Sequence, residues 1–154
     1  MDIIAIEEAT AQESELIAGL VYDLLIELFE DEADLFPLDK MKKAANKLIH
    51  QDSMAWSFIA KIDGEIAGII NLNQCSAIYA GGNFGEITEM YVKPQFRSKA
   101  VGEKLILHAK DFSKEMGWDV IEVGAPDIPR YQRTVDFYLS NGFSNTGPRL
   151  TAYV

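Results

Sequence analysis

The sequence predicts a single α/β domain, residues 1–154, in which a mixed, mostly antiparallel sheet has helices on both faces. Three observations support this fold class. Short apolar runs are joined by turns that contain glycine, which is typical of antiparallel strands. Other segments repeat their apolar residues at a helical spacing. In the second half a helical segment lies between two strands, as in a parallel crossover, and no repeat or flexible linker divides the chain.

The first half combines one strand, two helices and a hairpin. Apolar residues at positions 16, 17, 20, 21, 24, 25 and 28 follow the period of an amphipathic helix. Pro37 interrupts this pattern before a second helix with a basic face. Asp63 and Gly64 predict a hairpin turn, because glycine tolerates the positive φ of a tight turn. The predicted elements are a strand at 3–6, helices at 14–30 and 38–50, and strands at 55–62 and 65–79.

The second half is predicted to contain the crossover, a short helix and the last strands. Gly81, Gly82 and Gly85 predict a turn, and Pro94 ends the strand that follows. Gly117 closes the crossover helix. The predicted elements are a strand at 86–93, a helix at 101–116, a buried strand at 119–123, a helix at 134–141 and one or two strands in 143–154. The complete order is β-α-α-β-β-β-α-β-α-β-β.

The composition argues against several classes of function. The formal net charge of −10 disfavours nucleic acid as a partner, because phosphate binding requires a basic surface, and it is compatible with a cationic substrate. No apolar run is long enough to cross a membrane, and the N-terminus has no signal-peptide pattern. A single cysteine, Cys75, permits no intramolecular disulfide, so we expect a reducing, cytoplasmic location. Two isolated histidines predict no metal site.

A short basic loop carries the clearest chemical signal. Residues 97–102 read Arg-Ser-Lys-Ala-Val-Gly and stand where the crossover helix begins. Unpaired backbone N–H groups and the positive end of the helix dipole make a helix N-terminus a favourable place for an anion. The loop therefore predicts a phosphorylated ligand, and it has neither a Walker A nor a dinucleotide-binding glycine pattern.

The loop and a second motif resemble those of the GNAT superfamily of N-acetyltransferases. Arg97, Ala100 and Gly102 occupy the three fixed positions of the family's pattern Gln/Arg-x-x-Gly-x-Gly/Ala, and residues 90–94 look like the family's strand end. Residues 135–143 resemble its Phe-Tyr-x-x-x-Gly-Phe signature, at the family's spacing. The resemblance covers roughly the last two thirds of the chain, and before that only the order of elements agrees.

This resemblance implies acetyl-CoA as cosubstrate and a GNAT-like fold. Backbone N–H groups of the loop would hold the pyrophosphate, with added charge from Arg97 and Lys99. The strand at Met90 to Val92 would pair with the pantetheine amides, and a backbone N–H near Met90 would polarise the thioester carbonyl. The cofactor-binding residues implied in this way are Met90, Tyr91, Val92, Arg97, Ser98, Lys99, Ala100, Val101, Gly102 and Phe137.

The implied reaction moves an acetyl group from sulfur to the primary amine of a small molecule or peptide by direct attack. Tyr138 matches the family's tyrosine acid, which would protonate the leaving thiolate. Glu86 and Glu89 are the two candidates for the base that deprotonates the amine, and Glu89 is favoured because it lies nearer the reactive end of the cofactor. Since they are three residues apart, the two carboxylates are expected on opposite faces of the strand.

Three departures from the family pattern keep an alternative open. Ala100 replaces the first glycine of the loop, Tyr131 stands where many members have an asparagine that contacts the cofactor, and Thr134 replaces an alanine. A methyl group at position 100 is compatible with the loop if φ is negative. The alternative is a catalytically weak CoA-binding or sensing module with the same fold. A nucleotide-binding α/β domain is a third hypothesis, and a homodimer is compatible with the family.

Overall fold

The computed structural model describes residues 2–50 and 53–154, without the side chains at positions 31 and 33. Its helices and strands follow the predicted order up to the last helix. The strands are β1 (Ile4–Glu8), β2 (Ala55–Ile62), β3 (Glu65–Ala77), β4 (Gly82–Val92) and β5 (Ile121–Val123). The α-helices are α1 (Ser14–Leu28), α2 (Leu38–Leu48), α3 (Val101–Met116) and α4 (Gln132–Ser140).

The strands form one mixed sheet in the order β1-β2-β3-β4-β5. Neighbours are antiparallel from β1 to β4, whereas β4 and β5 are parallel because α3 carries the chain across between them. The β2–β3 turn contains Asp63 at φ 49° and Gly64 at φ 87°, as a tight hairpin requires. The predicted mixed, mostly antiparallel sheet is confirmed.

Each face of the sheet has its own hydrophobic core. Helix α3 buries Leu105 and Ile106 on one face, where they join a cluster that includes Ile70 of β3. On the other face Ile17 of α1 joins a cluster that includes Ile69. Full burial of each such side chain contributes roughly 1.5–3 kcal/mol. The neighbours Ile69 and Ile70 therefore show directly that the sheet is covered by helices on both sides, as predicted.

The C-terminal segment differs from its prediction. Residues 143–154 form no strand. The backbone amide of Phe143 donates to a carbonyl of α4 (3.1 Å) and so closes that helix. The Asn145 side chain then accepts from the amide of Gly147 (3.0 Å), and Pro148 has no N–H to give to a strand neighbour. Local turn chemistry has replaced strand pairing here, and the prediction of one or two strands is wrong.

Two smaller differences concern the ends of strands. Gly85 lies inside β4 and not in the preceding turn. Glycine suits this strand position because a Cβ would be only 2.6 Å from the ring of Trp118. Strand β5 is shorter than the predicted 119–123 and half-buried, not buried. The crossover helix has the predicted bounds and ends, as expected, at Gly117 with φ 76°.

Candidate active site

A β-bulge in β4 determines where the two candidate bases point. Glu86 pairs with Asn73 and Glu89 pairs with Asn71, with Thr88 left as the extra residue between them. Because positions 71 and 73 are two apart on β3, both lie on the same face of the sheet, and so do their partners. The expectation of opposite faces was therefore wrong: one inserted residue brings both carboxylates to the face that α1 and α2 cover.

Glu89 stands at the edge of a cavity between this face and the two N-terminal helices. The cavity has a volume of about 400 Å³ and is lined by Ile17, Ala18, Val21, Met41, Ala44, Ala45, Leu48, Ile49, Ala55, Trp56, Ser57, Asn71, Leu72, Asn73, Thr88 and Glu89. Asn71 donates its Nδ2 to Glu89 Oε2 (3.2 Å). Its Oδ1 is buried and has no hydrogen-bond partner. This pair lies in a pocket that is otherwise mostly apolar, with Ser57, Asn73 and Thr88 as its other polar lining residues.

Glu86 has different surroundings. Its Oε1 accepts from Arg149 (2.9 Å), which belongs to the irregular C-terminal segment. The thiol of Cys75 lies 3.7 Å from Glu86 Oε2, and burial together with this carboxylate raises the pKa of the thiol. Glu86 is not among the residues that line the cavity. Of the two candidate bases, Glu89 therefore lines this cavity and Glu86 does not.

The far end of β4 has an open edge. Strand β5 pairs with β4 only as far as Ile87. The amide of Lys93 donates to the carbonyl of Ala67 in β3 (2.8 Å). Because the backbone polar groups of successive residues point to opposite edges of a strand, the N–H and C=O of Val92 face away from β3. The Val92 carbonyl indeed accepts there from Arg97 Nε (2.9 Å). Met90, two residues earlier, shares this orientation, so the backbone at Met90 and Val92 can pair with an extended ligand.

The start of α3 is free of side-chain caps. Ala100 is the N-cap residue, and no side chain bonds to the helix end. The first helical hydrogen bond runs from the amide of Lys104 to the Ala100 carbonyl (3.1 Å). The amides of Val101, Gly102 and Glu103 consequently have no partner within the helix. They are the groups that an anion at this helix N-terminus would contact.

The loop before α3 has an unusual backbone. Ser98 and Ala100 both adopt φ 64°, in the left-handed region that favours glycine. From the sequence, a methyl group at position 100 was expected to suit the loop if φ were negative, but φ of Ala100 is positive. Such a conformation costs an alanine roughly 1–2 kcal/mol relative to the right-handed one.

Both cations of the loop are engaged in ion pairs. The Arg97 guanidinium holds Glu27 of α1 through two hydrogen bonds of 2.7 Å, and its carbon lies 5.7 Å from the centre of the Tyr91 ring. The hydrogen bonds to Glu27 raise the pKa of Arg97 further. Lys99 contacts Asp2 (3.0 Å). A phosphate at the loop would therefore compete with carboxylates for these two cations.

Helix α4 brings the second motif to the start of α3. A Cβ at Gly102 would lie 3.0 Å from Cζ of Phe137, a tight contact, so the two residues pack closely against each other. Tyr138 is 8% exposed and lies between the rings of Phe137 (5.5 Å) and Phe143 (5.4 Å). Burial raises the pKa of Tyr138 to about 12. Its hydroxyl is therefore protonated at neutral pH and can act as a proton donor.

Some residues of the site were not predicted. Asn71 was missed because its pairing with Glu89 depends on the bulge, which has no clear sequence signal. Glu27 lies near the end of α1, 70 residues before Arg97 in sequence, so its contact with the loop is visible only in three dimensions. Tyr131, expected near the cofactor, donates its hydroxyl to the Leu28 carbonyl at the end of α1. Arg149 was placed in a strand that does not form.

The described residues contain neither a metal-binding cluster nor a membrane-spanning helix. Within residues 2–50 and 53–154 no group of three or more His, Cys, Asp or Glu side chains is arranged to hold a metal ion. In the same part of the chain, no helix has both the length and the apolar character needed to cross a membrane.

The sheet with its crossover, the uncapped helix start and the buried tyrosine agree with the resemblance that the sequence motifs indicate. The chain belongs to the Acetyltransferase (GNAT) family, which it matches over residues 20–143.

Comparison with individual proteins agrees with this membership. The chain is 27% identical over 151 residues to an aminoalkylphosphonate N-acetyltransferase of Salmonella typhimurium, covering 98% of this chain and 92% of that protein. The fold is similar to that of a ribosomal-protein-alanine N-acetyltransferase from Brucella melitensis, with a TM-score of 0.73, 19% identity and 99% coverage of both chains. It is also similar to an aminoglycoside acetyltransferase from a soil metagenome, with a TM-score of 0.75, 21% identity and coverage of 98% and 95%.

Proposed function

We propose that this protein transfers an acetyl group from acetyl-CoA to the primary amine of a small molecule or peptide by direct attack. The observation that carries the proposal is the bulge in β4. It places Glu89 beside the cavity, and the next residue, Met90, presents its backbone to the open edge of the same strand. A base and a hydrogen-bond donor for the thioester carbonyl are thus consecutive residues.

The residues around the open edge fit acetyl-CoA. The free amides of Val101 and Gly102 suit a pyrophosphate at the start of α3. The backbone of Met90 and Val92 suits the amides of a pantetheine chain. Phe137 covers the start of α3 and would form one wall of that path. These contacts would leave the thioester near Met90.

Acetyl-CoA supplies the activated acyl group and a thiol as leaving group. Glu89, directly or through a water molecule, accepts the proton that the amine loses as its nitrogen bonds to the acyl carbon. The Met90 amide donates to the carbonyl oxygen, where negative charge develops. As the carbon–sulfur bond breaks, the protonated Tyr138 hydroxyl gives its proton to the sulfur. Each proton that moves thus has a donor or an acceptor in this chain.

A coupled assay tests the proposal. Purified protein is mixed with acetyl-CoA and a panel of primary amines, free thiol is measured over time, and the acetylated product is identified by mass spectrometry. We expect thiol release that depends on the amine and matches the product one to one. Thiol release without N-acetylated product, or no release with any amine, would contradict the proposal.

A CoA-binding module with weak catalysis is the second candidate, and the departures from the family pattern at Ala100 and Tyr131 motivate it. Tyr131, which stands where many family members have an asparagine that contacts the cofactor, donates its hydroxyl to the Leu28 carbonyl. Calorimetric titration with CoA, carried out beside the turnover assay, separates the candidates. Tight CoA binding without amine-dependent release of thiol would identify the binding module. Amine-dependent release of thiol with at least one amine of the panel would identify the enzyme.

A further inference from the structure

We propose that the acceptor is a primary amine with an uncharged, apolar body, such as an arylalkylamine, whose apolar part occupies the cavity between α1, α2 and the sheet. This inference rests on the proposed function and names its substrate class. It is carried by three features of the cavity: its lining, its volume and the unpaired oxygen of Asn71.

The lining suits an apolar group. Helices α1 and α2 contribute Ile17, Val21, Met41 and Leu48, and Trp56 lies on the sheet side. Among the described lining residues Glu89 is the only charged one. A phosphonate within this space would lose its water and meet only the like charge of Glu89, which is costly. A second ammonium group would also lose its water, and Glu89 is already the partner of the reacting amine.

The volume sets the size of the substrate. An apolar cavity of about 150 Å³ is large enough to bind benzene. The cavity here measures about 400 Å³, which leaves room for an aromatic ring and a short alkyl chain. Arg149 does not line the cavity and is paired with Glu86. It therefore offers no positive charge to a substrate in this space.

The polar groups point to an amine at one end. Asn71 Nδ2 lies 3.2 Å from Glu89 Oε2. Because an ionised carboxylate can only accept hydrogen bonds, the Asn71 amide must direct its NH₂ group, and not its oxygen, toward Glu89. The Oδ1 is then left as an unused acceptor on a residue that is 9% exposed. A buried acceptor left unpaired is unfavourable. An amine beside Glu89 would give one N–H to that carboxylate, and a small rotation of the Asn71 side chain would expose its Oδ1 to a second N–H.

The test compares three amines of different chemistry with the full-length protein and acetyl-CoA. We expect kcat/KM for 2-phenylethylamine to exceed that for 2-aminoethylphosphonate and for spermidine by at least about tenfold, which corresponds to about 1.4 kcal/mol. Ala44→Trp should fill the cavity from the exposed side of α2 and raise KM for 2-phenylethylamine about tenfold, with KM for acetyl-CoA unchanged. Lys43→Trp, on the exposed surface beside it, is the matched control and should change neither constant.

Each outcome decides a different point. Faster acetylation of spermidine or 2-aminoethylphosphonate would overturn this inference and leave the transferase function intact. An equal effect of the two tryptophan variants on KM for the amine would also overturn it. If 2-phenylethylamine binds in a thermal-shift assay, and Ala44→Trp abolishes that binding, the pocket is confirmed even without turnover. In that case the proposed acetyl transfer would be the part that fails.

Discussion

The site has two halves that are built in different ways. The cofactor half comprises the open edge of β4, residues 97–102 and α4, and its parts are close in sequence or belong to recognisable motifs. The acceptor half comprises Asn71, Glu89 and the cavity under α1 and α2, and elements far apart in the chain meet there. The cofactor half is thus specified by local sequence. The acceptor half depends on a single bulge, which shifts the register of β4 by one residue and turns Glu89 toward the cavity. The residues of the cofactor half can therefore keep the same chemistry while the residues of the acceptor half change.

The largest effect should come from the acceptor half. Glu89→Gln removes the proposed base and leaves a side-chain oxygen to accept the hydrogen bond from Asn71. We expect kcat to fall by about 1,000-fold, within the range for loss of a general base. KM for acetyl-CoA should not change. Steady-state kinetics with the best amine of the panel provide the measurement.

Glu86→Gln is the matched control for this variant. Its exposed ion pair with Arg149 contributes at most about 1 kcal/mol, so kcat should change by no more than about fivefold. If Glu86→Gln were the more harmful substitution, the assignment of the base would be reversed and the cavity would lose its role.

Tyr138→Phe tests the cofactor half and should have the next largest effect. Removal of the acid should lower kcat about 100-fold, with little change in packing because the ring stays in place. Since burial raises the pKa of Tyr138 to about 12, the hydroxyl remains protonated below pH 10. The ratio of wild-type to variant rate should therefore be constant from pH 6 to pH 9. Tyr153→Phe, 97% exposed, is the control. A ratio near one at every pH would exclude Tyr138 as the acid, and a ratio that falls with pH in this range would contradict its raised pKa.

Glu27→Gln tests whether the ion pair restrains the loop. The substitution frees Arg97 for a phosphate, and we expect acetyl-CoA to bind up to about fivefold more tightly at low salt, since an exposed pair is worth at most about 1 kcal/mol. Calorimetric titration at two salt concentrations measures the effect, which screening should reduce. Glu15→Gln, on the first turn of the same helix, should leave the affinity unchanged. Equal tightening in both variants would mean that only net charge matters.

The two halves also differ in how far the sequence predicted them. Residues 101–116 and the Phe137-Tyr138 pair could be assigned because helical spacing, Gly117 and the motif act over short distances. The orientation of Glu86 relative to Glu89 was mispredicted because one extra residue, Thr88, shifts the alternation of the strand. The role of residues 143–154 was mispredicted because Gly147 and Pro148 favour a turn over strand pairing. Contacts such as Arg97 with Glu27 depend on how α1 packs, which no local pattern encodes.

The smallest expected effect is at Ala100. Glycine adopts φ 64° without strain, so Ala100→Gly should raise the free energy of unfolding by about 1 kcal/mol, as measured by urea denaturation. Ala80→Gly is the control: that residue lies in a turn without a positive φ, and the added freedom of the unfolded chain should lower stability. We expect the affinity for acetyl-CoA to stay within about twofold, because the amides that would hold the pyrophosphate belong to residues 101–103 and the loop already has the left-handed turn. A much tighter complex would show that the methyl group faces the phosphates, and the cofactor half would then be only partly specified by its motif.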